Sequence, residues 1–511
     1  MKKNKNKMCA WLITMALGLA IVGCSNNKTT NTTETTQQVE TTAVDTSSST
    51  TKGAYSDEDL NTSYSDSDTK IELSNGSADI TGEGATFENG NIKITKAGTY
   101  VLSGEFDGQI ITEVGDEDVV HLVFNGVNIT NTTSSAINAA TGKKVVITLV
   151  DGTTNTLSDG TSYEYADGED EPDATLFVKN NLTINGTGSL NIDSNYATAI
   201  KAKDNLIILD SKINIDSVGK AIKGKDSVTI ENANITINAE DDGITTDGAM
   251  VINSGNINIE KSGEGLEGVS IDINGVNIDI VATDDGINAR GLIDDSATDA
   301  EKEAYGEENQ ADTYLRITGG TVNINASADG IDSNGQVYID GGTVYVSGAT
   351  SGPDVALDYN GKAVITGGTF VSTGVQEMAQ TFDSSSTQNF ITVYYDSAVA
   401  AGSEIKVTDK DGNTVLSYNA DKEFTFAVIS SDKLSTGETY TVTAGDNSNE
   451  VTITAGGNTI GESSVAGPGG NGGPGGNPPT GQPPQKPTDA NGNEIEMSGP
   501  PSGESSQTEK N

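Results

Sequence analysis

Histidine and tryptophan each occur once in these 511 residues, cysteine twice, and arginine only as Arg290 and Arg316. Each scarcity removes a class of chemistry. Cys9 and Cys24 both lie in the first 24 residues, so no disulfide framework can staple the rest of the chain. Lys and Arg together number 29 against 74 Asp and Glu, for a formal charge of −45. That balance argues against a nucleic-acid partner, whose phosphates demand clustered cationic side chains. Aromatic residues make up 5%, with Tyr338 and Tyr345 the best placed, which weakens flat stacking on a neutral sugar polymer as a sole binding mode. His121 lies in an apolar alternating run and reads as a strand residue rather than a catalyst.

The N-terminus carries Lys2, Lys3, Lys5 and Lys7, then an apolar run ending in Ile21-Val22-Gly23-Cys24. That layout is a secretion signal with a small residue before a cysteine, and it resembles a bacterial lipobox in which Cys24 is acylated. The run is too short and too one-sidedly flanked to favour a spanning helix. Its removal takes away four lysines and the tryptophan and brings the formal charge from −45 to −49. The expected location is the extracellular face of the cell membrane, with the lipid on Cys24 as the membrane contact. Residues 24–56, rich in Thr, Ser, Asn and Gln, read as a disordered tether, and 458–511, rich in Gly and Pro, as a disordered tail.

Between these ends the sequence repeats. Ile200, Ile222, Ile244, Leu266 and Ile287 are equivalent positions spaced by 22, 22, 22 and 21 residues. Ile331 lies 44 further on, two periods, with an acidic insertion from Gly291 to Asp312 between; Leu176 and Leu357 extend the series at spacings of 24 and 26. Within each period run short alternating segments such as Leu182-Thr183-Ile184 and Val228-Thr229-Ile230, closed by Gly, Asn or Asp, as in Gly319-Gly320-Thr321. Period two means strands, a fixed repeat means stacked coils, and the glycines supply positive φ or tight corners. The leucine-rich repeat pattern and the calcium-binding nonapeptide pattern are both missing. The fold expected is all-β: a right-handed parallel β-helix of about 22 residues per coil, with a small antiparallel β-unit at its C-terminal end. In the expected domain layout, 1–23 is the signal, 57–131 forms the cap and first coils, 132–386 the helix core and 387–457 the C-terminal unit.

If the phased residue points inward, its neighbours form outward columns. One column reads Lys201, Lys223, Thr245, Glu267, Asn288, Asp332; another Lys203, Lys225, Asp247, Val269, Arg290, Asn334; a third Thr198, Lys220, Asp242, Glu264, Asp285, Asp329. One face therefore passes from lysines to carboxylates. Asp241, Asp242, Glu264, Glu267, Asp284, Asp285, Asp329 and Asp332 would come close enough to chelate an oxygen-loving cation, and calcium suits donors that are carboxylate and amide oxygens. The competing account makes these Asp-Gly turns in which Asp bonds its own backbone. Lys201, Lys203, Lys220, Lys223 and Lys225, with Arg290, form a basic patch suited to a carboxylate-bearing sugar polymer, unless they only pair with nearby acids. A further column of Asn191, Asn214, Thr236, Asn258, Asp279 and Asn323, ending at Tyr345, either bonds sugar hydroxyls or simply solvates a strand face.

The stretch Asn181 to Leu190, the Asp-Asp-Gly-Ile coils, Ala328 to Gly335, and the entry segments Gly98 to Gly104 and Phe124 to Ile129 resemble the carbohydrate-binding β-helix family of Gram-positive surface proteins. The likeness runs from about Ile71 to Thr454. It implies a fold similar to pectate lyases, binding of cellulose and polygalacturonate, and calcium ions held on the helix, with the Asp-Gly-Ile acids as ligands. The function expected is a surface-anchored, monomeric protein that binds acidic plant polysaccharide with calcium. Two rivals remain: a pectate-lyase-like enzyme, which needs an Arg or Lys base and for which Arg290 is the better candidate, and a structural adhesin in which calcium only holds the coils.

Overall fold

The computed structural model describes residues 55–291 and 309–464. The signal segment, Cys24, most of the tether, part of the acidic insertion and the tail from 465 onward lie outside the described residues. Among the described residues no helix is long and apolar enough to cross a membrane.

Among the described residues, apart from one turn of α-helix, Asp57–Leu60, the regular secondary structure is all strand. The strands stack in parallel into a β-solenoid with three faces. An 11-stranded sheet of short strands runs the length of the body, and a 25-stranded sheet supplies the other two faces. The strand Val119–Thr130 shows how one sheet covers both, since its first half pairs with Lys144–Leu149 and its second half with Thr154–Ser158.

The phased positions share one register. On the short-strand face Leu176 pairs with Ile200, Ile200 with Ile222, then Ile244, Leu266, Ile287 and Ile331 in turn, and an isolated bridge joins Ile331 to Leu357. Every member from Leu176 to Ile331 is fully buried. Removing each such side chain from water contributes about 1.5–3 kcal/mol, and stacking identical positions repeats the gain without a new packing problem at each coil. Ile287 and Ile331 pair in this register although 44 residues separate them. The amide column is likewise in register, Asn191 to Asn214, Thr236, Asn258, Asp279, Asn323 and Tyr345.

Glycine serves two different purposes at the corners. At Gly320, Gly342 and Gly368 the backbone has φ between 80° and 85°, where a side chain is strained. In the Asp-Gly corners φ is not positive; there a Cβ on Gly243 would lie 2.6 Å from the carbonyl oxygen of Gly265, and one on Gly330 2.6 Å from that of Ala356. Close stacking of coils, rather than φ, demands those glycines.

Both ends of the solenoid are capped. At the start, Thr69–Ser74 pairs antiparallel with Ser77–Thr81, and Ala85–Glu88 with Asn91–Ile94. At the far end, Thr369–Gly374 pairs antiparallel with Phe424–Ser431, which pairs in turn with Phe390–Val399. The C-terminal unit adds a four-stranded antiparallel sheet with its own apolar cluster around Ile405, Val407 and Val442. It is fastened to the solenoid by Lys422, whose Nζ donates to the carbonyl oxygens of Ala326, Gly348 (3.1 Å) and Ser347 (3.4 Å). Capping in this way hides strand edges that would otherwise recruit other chains.

Two boundaries differ from the sequence reading. Tyr55 and Ser56, grouped with the tether, lie on the solenoid: the Tyr55 hydroxyl donates to Glu231 at 2.6 Å, and Ser56 caps the helix that buries Asp59 against Lys144 at 2.8 Å. Residues 458–460, grouped with the tail, belong to the strand Gly457–Ile460 that pairs with Phe390–Val399. Each is held by a long-range partner that local composition does not reveal. His121 is buried in its strand with Nε2 2.7 Å from the Thr148 hydroxyl.

Candidate functional site

The backbone ladder between coils fixes the acids of the Asp-Gly corners. The amide of Ala221 donates to the carbonyl of Asp242 (2.9 Å), Gly243 to Glu264 (2.9 Å), Gly265 to Asp285 (3.0 Å), Gly286 to Asp329 (2.9 Å) and Gly330 to Val355 (3.0 Å). Lys220, Asp242, Glu264, Asp285 and Asp329 therefore stand one above another along the rim of the short-strand face, about one coil spacing apart, roughly 4.8 Å. Their side chains reach along the same axis. Asp242 Oδ1 accepts the amide of Glu264 at 3.1 Å, Asp285 Oδ1 that of Asp329 at 2.9 Å, and Asp329 Oδ1 that of Val355. These aspartates bond the backbone of the next coil as well as lying in a turn, which differs from the purely local Asp-Gly turn.

Two groups of carboxylates converge. One oxygen from each of Asp242, Glu264 and Glu267 lies within 4.8 Å of the others, and the same holds for Asp329, Asp332 and Asp358. Asp285 lies between the groups, and Asp241 and Asp284 are exposed beside them, outside both triads. Oxygens on opposite sides of one calcium ion are about 4.6–5.2 Å apart, so each triad has the spacing of a shared cation. Two polar atoms at the first group lack a partner: Glu264 Oε2 and Asn288 Oδ1 are buried without a hydrogen bond. Asn288, only 6% exposed, donates Nδ2 to Glu264 Oε1 at 3.1 Å. Turning that amide over would present its oxygen to the cluster instead. An all-oxygen donor set with orphaned oxygens fits calcium.

The electrostatics show the strain of this crowding. Burial, then repulsion from Glu267 and Asp242, pushes Glu264 up to about 8 despite the opposing pull of Arg290. Burial lifts Asp329 to about 8, with Asp285 and Asp358 adding to it and the Val355 amide opposing. Asp285 rises to about 6, again chiefly through burial. Asp241 is raised by burial and by Asp242. Stacked acids held in a partly desolvated rim resist ionising together unless positive charge reaches them.

The chain supplies some of that charge. Lys220 Nζ contacts Asp242 and lies 3.9 Å from both Asp241 and Glu267, while Arg290 pairs with Glu267. Burial works against the charge on Lys220, but Asp242 outweighs it and raises its pKa. The other lysines also meet acids: Lys201 pairs with Asp173 and Lys203 with Glu171, both from the end of the loop that precedes the strand Ala174–Val178, and Lys223 with Asp247 at 3.1 Å. Lys201 and Lys223 are direct register partners, and Lys225 is exposed. Four of the five ammonium groups, those of Lys201, Lys203, Lys220 and Lys223, are thus engaged by carboxylates of the protein itself, as the ion-pair account of these lysines has it.

A family model described as carbohydrate-binding domain-containing protein matches residues 88–355, more than half of the chain. The chain belongs to this carbohydrate-binding family. A protein of that description from Acetivibrio thermocellus is 38% identical over 135 residues, which is 26% of this chain; the chain spans about half (47%) of that relative's length. A solved structure described as the polysaccharide lyase-like protein from C. thermocellum, in a gadolinium derivative, is similar at 28% identity, covering 58% of this chain and 97% of its own, with a TM-score of 0.36. The family match takes in the first acidic triad and the lysine row. It stops short of Asp358 and of the C-terminal unit.

Asp358 is the site residue that sequence reasoning missed. The signal was present, because Leu357 belongs to the phased series and the residue after each phased position faces outward; extending the column past Asp332 reaches Asp358. Glu171 and Asp173 carried no such signal, since a loop brings them to the lysines.

Proposed function

We propose that this carbohydrate-binding protein recognises acidic plant cell-wall polysaccharide, polygalacturonate above all, on the short-strand face of a right-handed parallel β-helix of about 22 residues per coil, with calcium held by the stacked acids. The observation that carries the reading is the convergence of carboxylate oxygens from successive coils, within 4.8 Å in two separate triads, beside a row of lysines. Asp242, Glu264 and Glu267 would hold one ion, and Asp329, Asp332 and Asp358 another. When bound, calcium offers remaining coordination positions to oxygens of a sugar-acid carboxylate. Asn288 orients Glu264, the Asp242 and Asp329 side chains are aimed by the amides of the following coil, and Lys220 and Arg290 temper the negative field. Lys201, Lys203 and Lys223 would exchange protein carboxylates for those of the polymer, a swap of similar partners that costs little, and the exposed Lys225 would add its ammonium group beside them. Attachment through an acylated Cys24 would hold the protein at the extracellular face of the membrane.

Arg290 bears on the choice between binding and cleavage. Although burial acts against its charge, Glu267 outweighs that and raises its pKa, so the guanidinium stays protonated and is a poor general base. The test is incubation of the signal-free protein with polygalacturonate, with calcium or with chelator, following retention on the polymer and absorbance of unsaturated products together. Calcium-dependent retention without new absorbance is expected. Steady product formation would make the protein a lyase, and calcium that raises the melting temperature without any retention would make it a structural adhesin.

A further inference from the structure

The loop that supplies Glu171 and Asp173 is longer than closing the coil requires. Residues 159–173 connect the strand Thr154–Ser158 to Ala174–Val178, whereas the next three coils turn the same corner with 195–197, 218–221 and 240–243. An excursion of that length inside a regular stack usually carries a function. It holds seven carboxylates and no lysine or arginine. Its first half is pinned to the coils on either side. A Cβ on Gly160 would lie 1.9 Å from the Thr132 carbonyl oxygen, and the Glu164 amide donates to the carbonyl of Thr133 at 2.9 Å. The Tyr163 ring stacks on Tyr196 at 4.2 Å and 19°, while its hydroxyl donates to Asp159 at 2.6 Å. The Tyr165 hydroxyl donates to the carbonyl of Pro172 at 2.9 Å, which ties the pinned half to the end that meets Lys201 and Lys203.

We propose that Glu171 and Asp173 are specificity-determining residues, a built-in competitor that closes the lysine row to neutral, esterified or singly charged sugars and yields it to a chain bearing several adjacent carboxylates. The proposal rests on the reading that the row binds an acidic polymer. Three observations carry it. First, both pairs are half-buried, with the Lys201 side chain 18% exposed and that of Glu171 24%, so a ligand takes the row only by giving each ammonium group a new anion. A neutral or methyl-esterified sugar supplies none. Second, Glu171 and Asp173 belong to the chain itself, so a single free carboxylate competes with a partner at an effective concentration of about millimolar or more, whereas a polymer brings several linked carboxylates at once. Third, opening the row needs only side-chain rotation. The Thr198 amide donates to the Asp173 carbonyl at 3.4 Å and can stay there. Asp173 Oδ1 is buried without a hydrogen bond, so turning this carboxylate out to water restores hydration that the closed position denies it. The two released ammonium groups then join the exposed Lys225. Lys223 differs, because its partner Asp247 belongs to the repeat itself.

The experiment measures retention of the signal-free protein, in calcium, on polygalacturonate and on the same polymer partly methyl-esterified. Glu171→Gln combined with Asp173→Asn removes the competitor at nearly constant size. Asp167→Asn combined with Glu169→Gln removes two exposed acids of the same loop and controls for net charge. The competitor variant is expected to bind polygalacturonate about tenfold tighter and to lose about threefold of its preference for the unesterified polymer, with the control within about twofold of the parent on both. Where the parent retains polygalacturonate, equal affinity in the competitor variant, an unchanged preference, or the same gain in the control overturns the competitor alone. Failure of the parent and the competitor variant alike to bind either polymer overturns the acidic-polymer reading and the competitor together. Retention that appears only in the competitor variant supports both.

Discussion

Calcium binding to the stacked acids should release protons. In the calcium-free protein Glu264 and Asp329 both titrate at about 8 and Asp285 at about 6. A group with a pKa near 8 holds about 0.9 proton at pH 7, so two ions, one requiring Glu264 ionised and the other Asp329, displace about one proton each and about two in all. The stability consequence has a definite sign. These folded-state values lie above the ordinary 4.5 and 3.8, so the folded state binds more protons than the unfolded chain between roughly pH 4 and pH 8. Stability of the calcium-free protein therefore falls as pH rises through that window, and calcium, which favours the ionised forms, restores it. Titration of calcium at pH 7 in two buffers of different ionisation enthalpy gives the proton count from the difference in heat. About two protons are expected at pH 7 and close to none at pH 9, with the calcium-induced rise in melting temperature larger at pH 8 than at pH 6. Proton-neutral binding at pH 7, or a calcium effect that is flat from pH 6 to pH 8, would refute the assignment of these acids as ligands.

Gly243→Ala would place a methyl group 2.6 Å from the Gly265 carbonyl oxygen and should cost about 1–3 kcal/mol, read as a lower urea midpoint; an unchanged midpoint would show that the coils yield more freely than their stacking implies. Lys422→Met removes the cation that holds the carbonyls of Ala326, Ser347 and Gly348 and should cost about 1.5–3 kcal/mol, seen as faster hydrogen exchange in the C-terminal unit before the solenoid itself opens. Asp59 is buried, yet its bonds to Lys144 and Thr183 outweigh burial and hold its pKa below 3.8. Its contribution is thus present above the ordinary Asp range and lost as pH falls through the lowered value, so exchange of the 55–61 segment should accelerate in acid and already be fast at pH 7 in Asp59→Asn.

The site was legible in the sequence to the extent that it follows the repeat. Asp242, Glu264, Asp285 and Asp329 could be placed in one column because each sits two residues before a buried aliphatic position, and Glu267 and Asp332 because each sits one after. The amide column was legible for the same reason. What the columns could not supply was the identity of neighbours across them. That Lys220 leans on Asp242, that Glu171 and Asp173 reach Lys203 and Lys201, and that Asn288 turns its amide toward Glu264 depend on side-chain directions and on a loop whose path has no period.

The sequence by itself determined the parallel stacking and its phase, because a residue repeat that buries the same position in every coil has few other solutions, and a slip by one residue would turn the aliphatic row out to water. It also determined that the exposed columns carry acids, lysines and amides. Which acids form triads is settled in three dimensions, since chelation depends on distances of a few ångströms between side chains from coils 22 to 29 residues apart. The tertiary structure alone brought the C-terminal unit over Tyr345, because that docking is set by Lys422 and by the pairing of Thr369–Gly374 with Phe424–Ser431, contacts between segments that share no repeat.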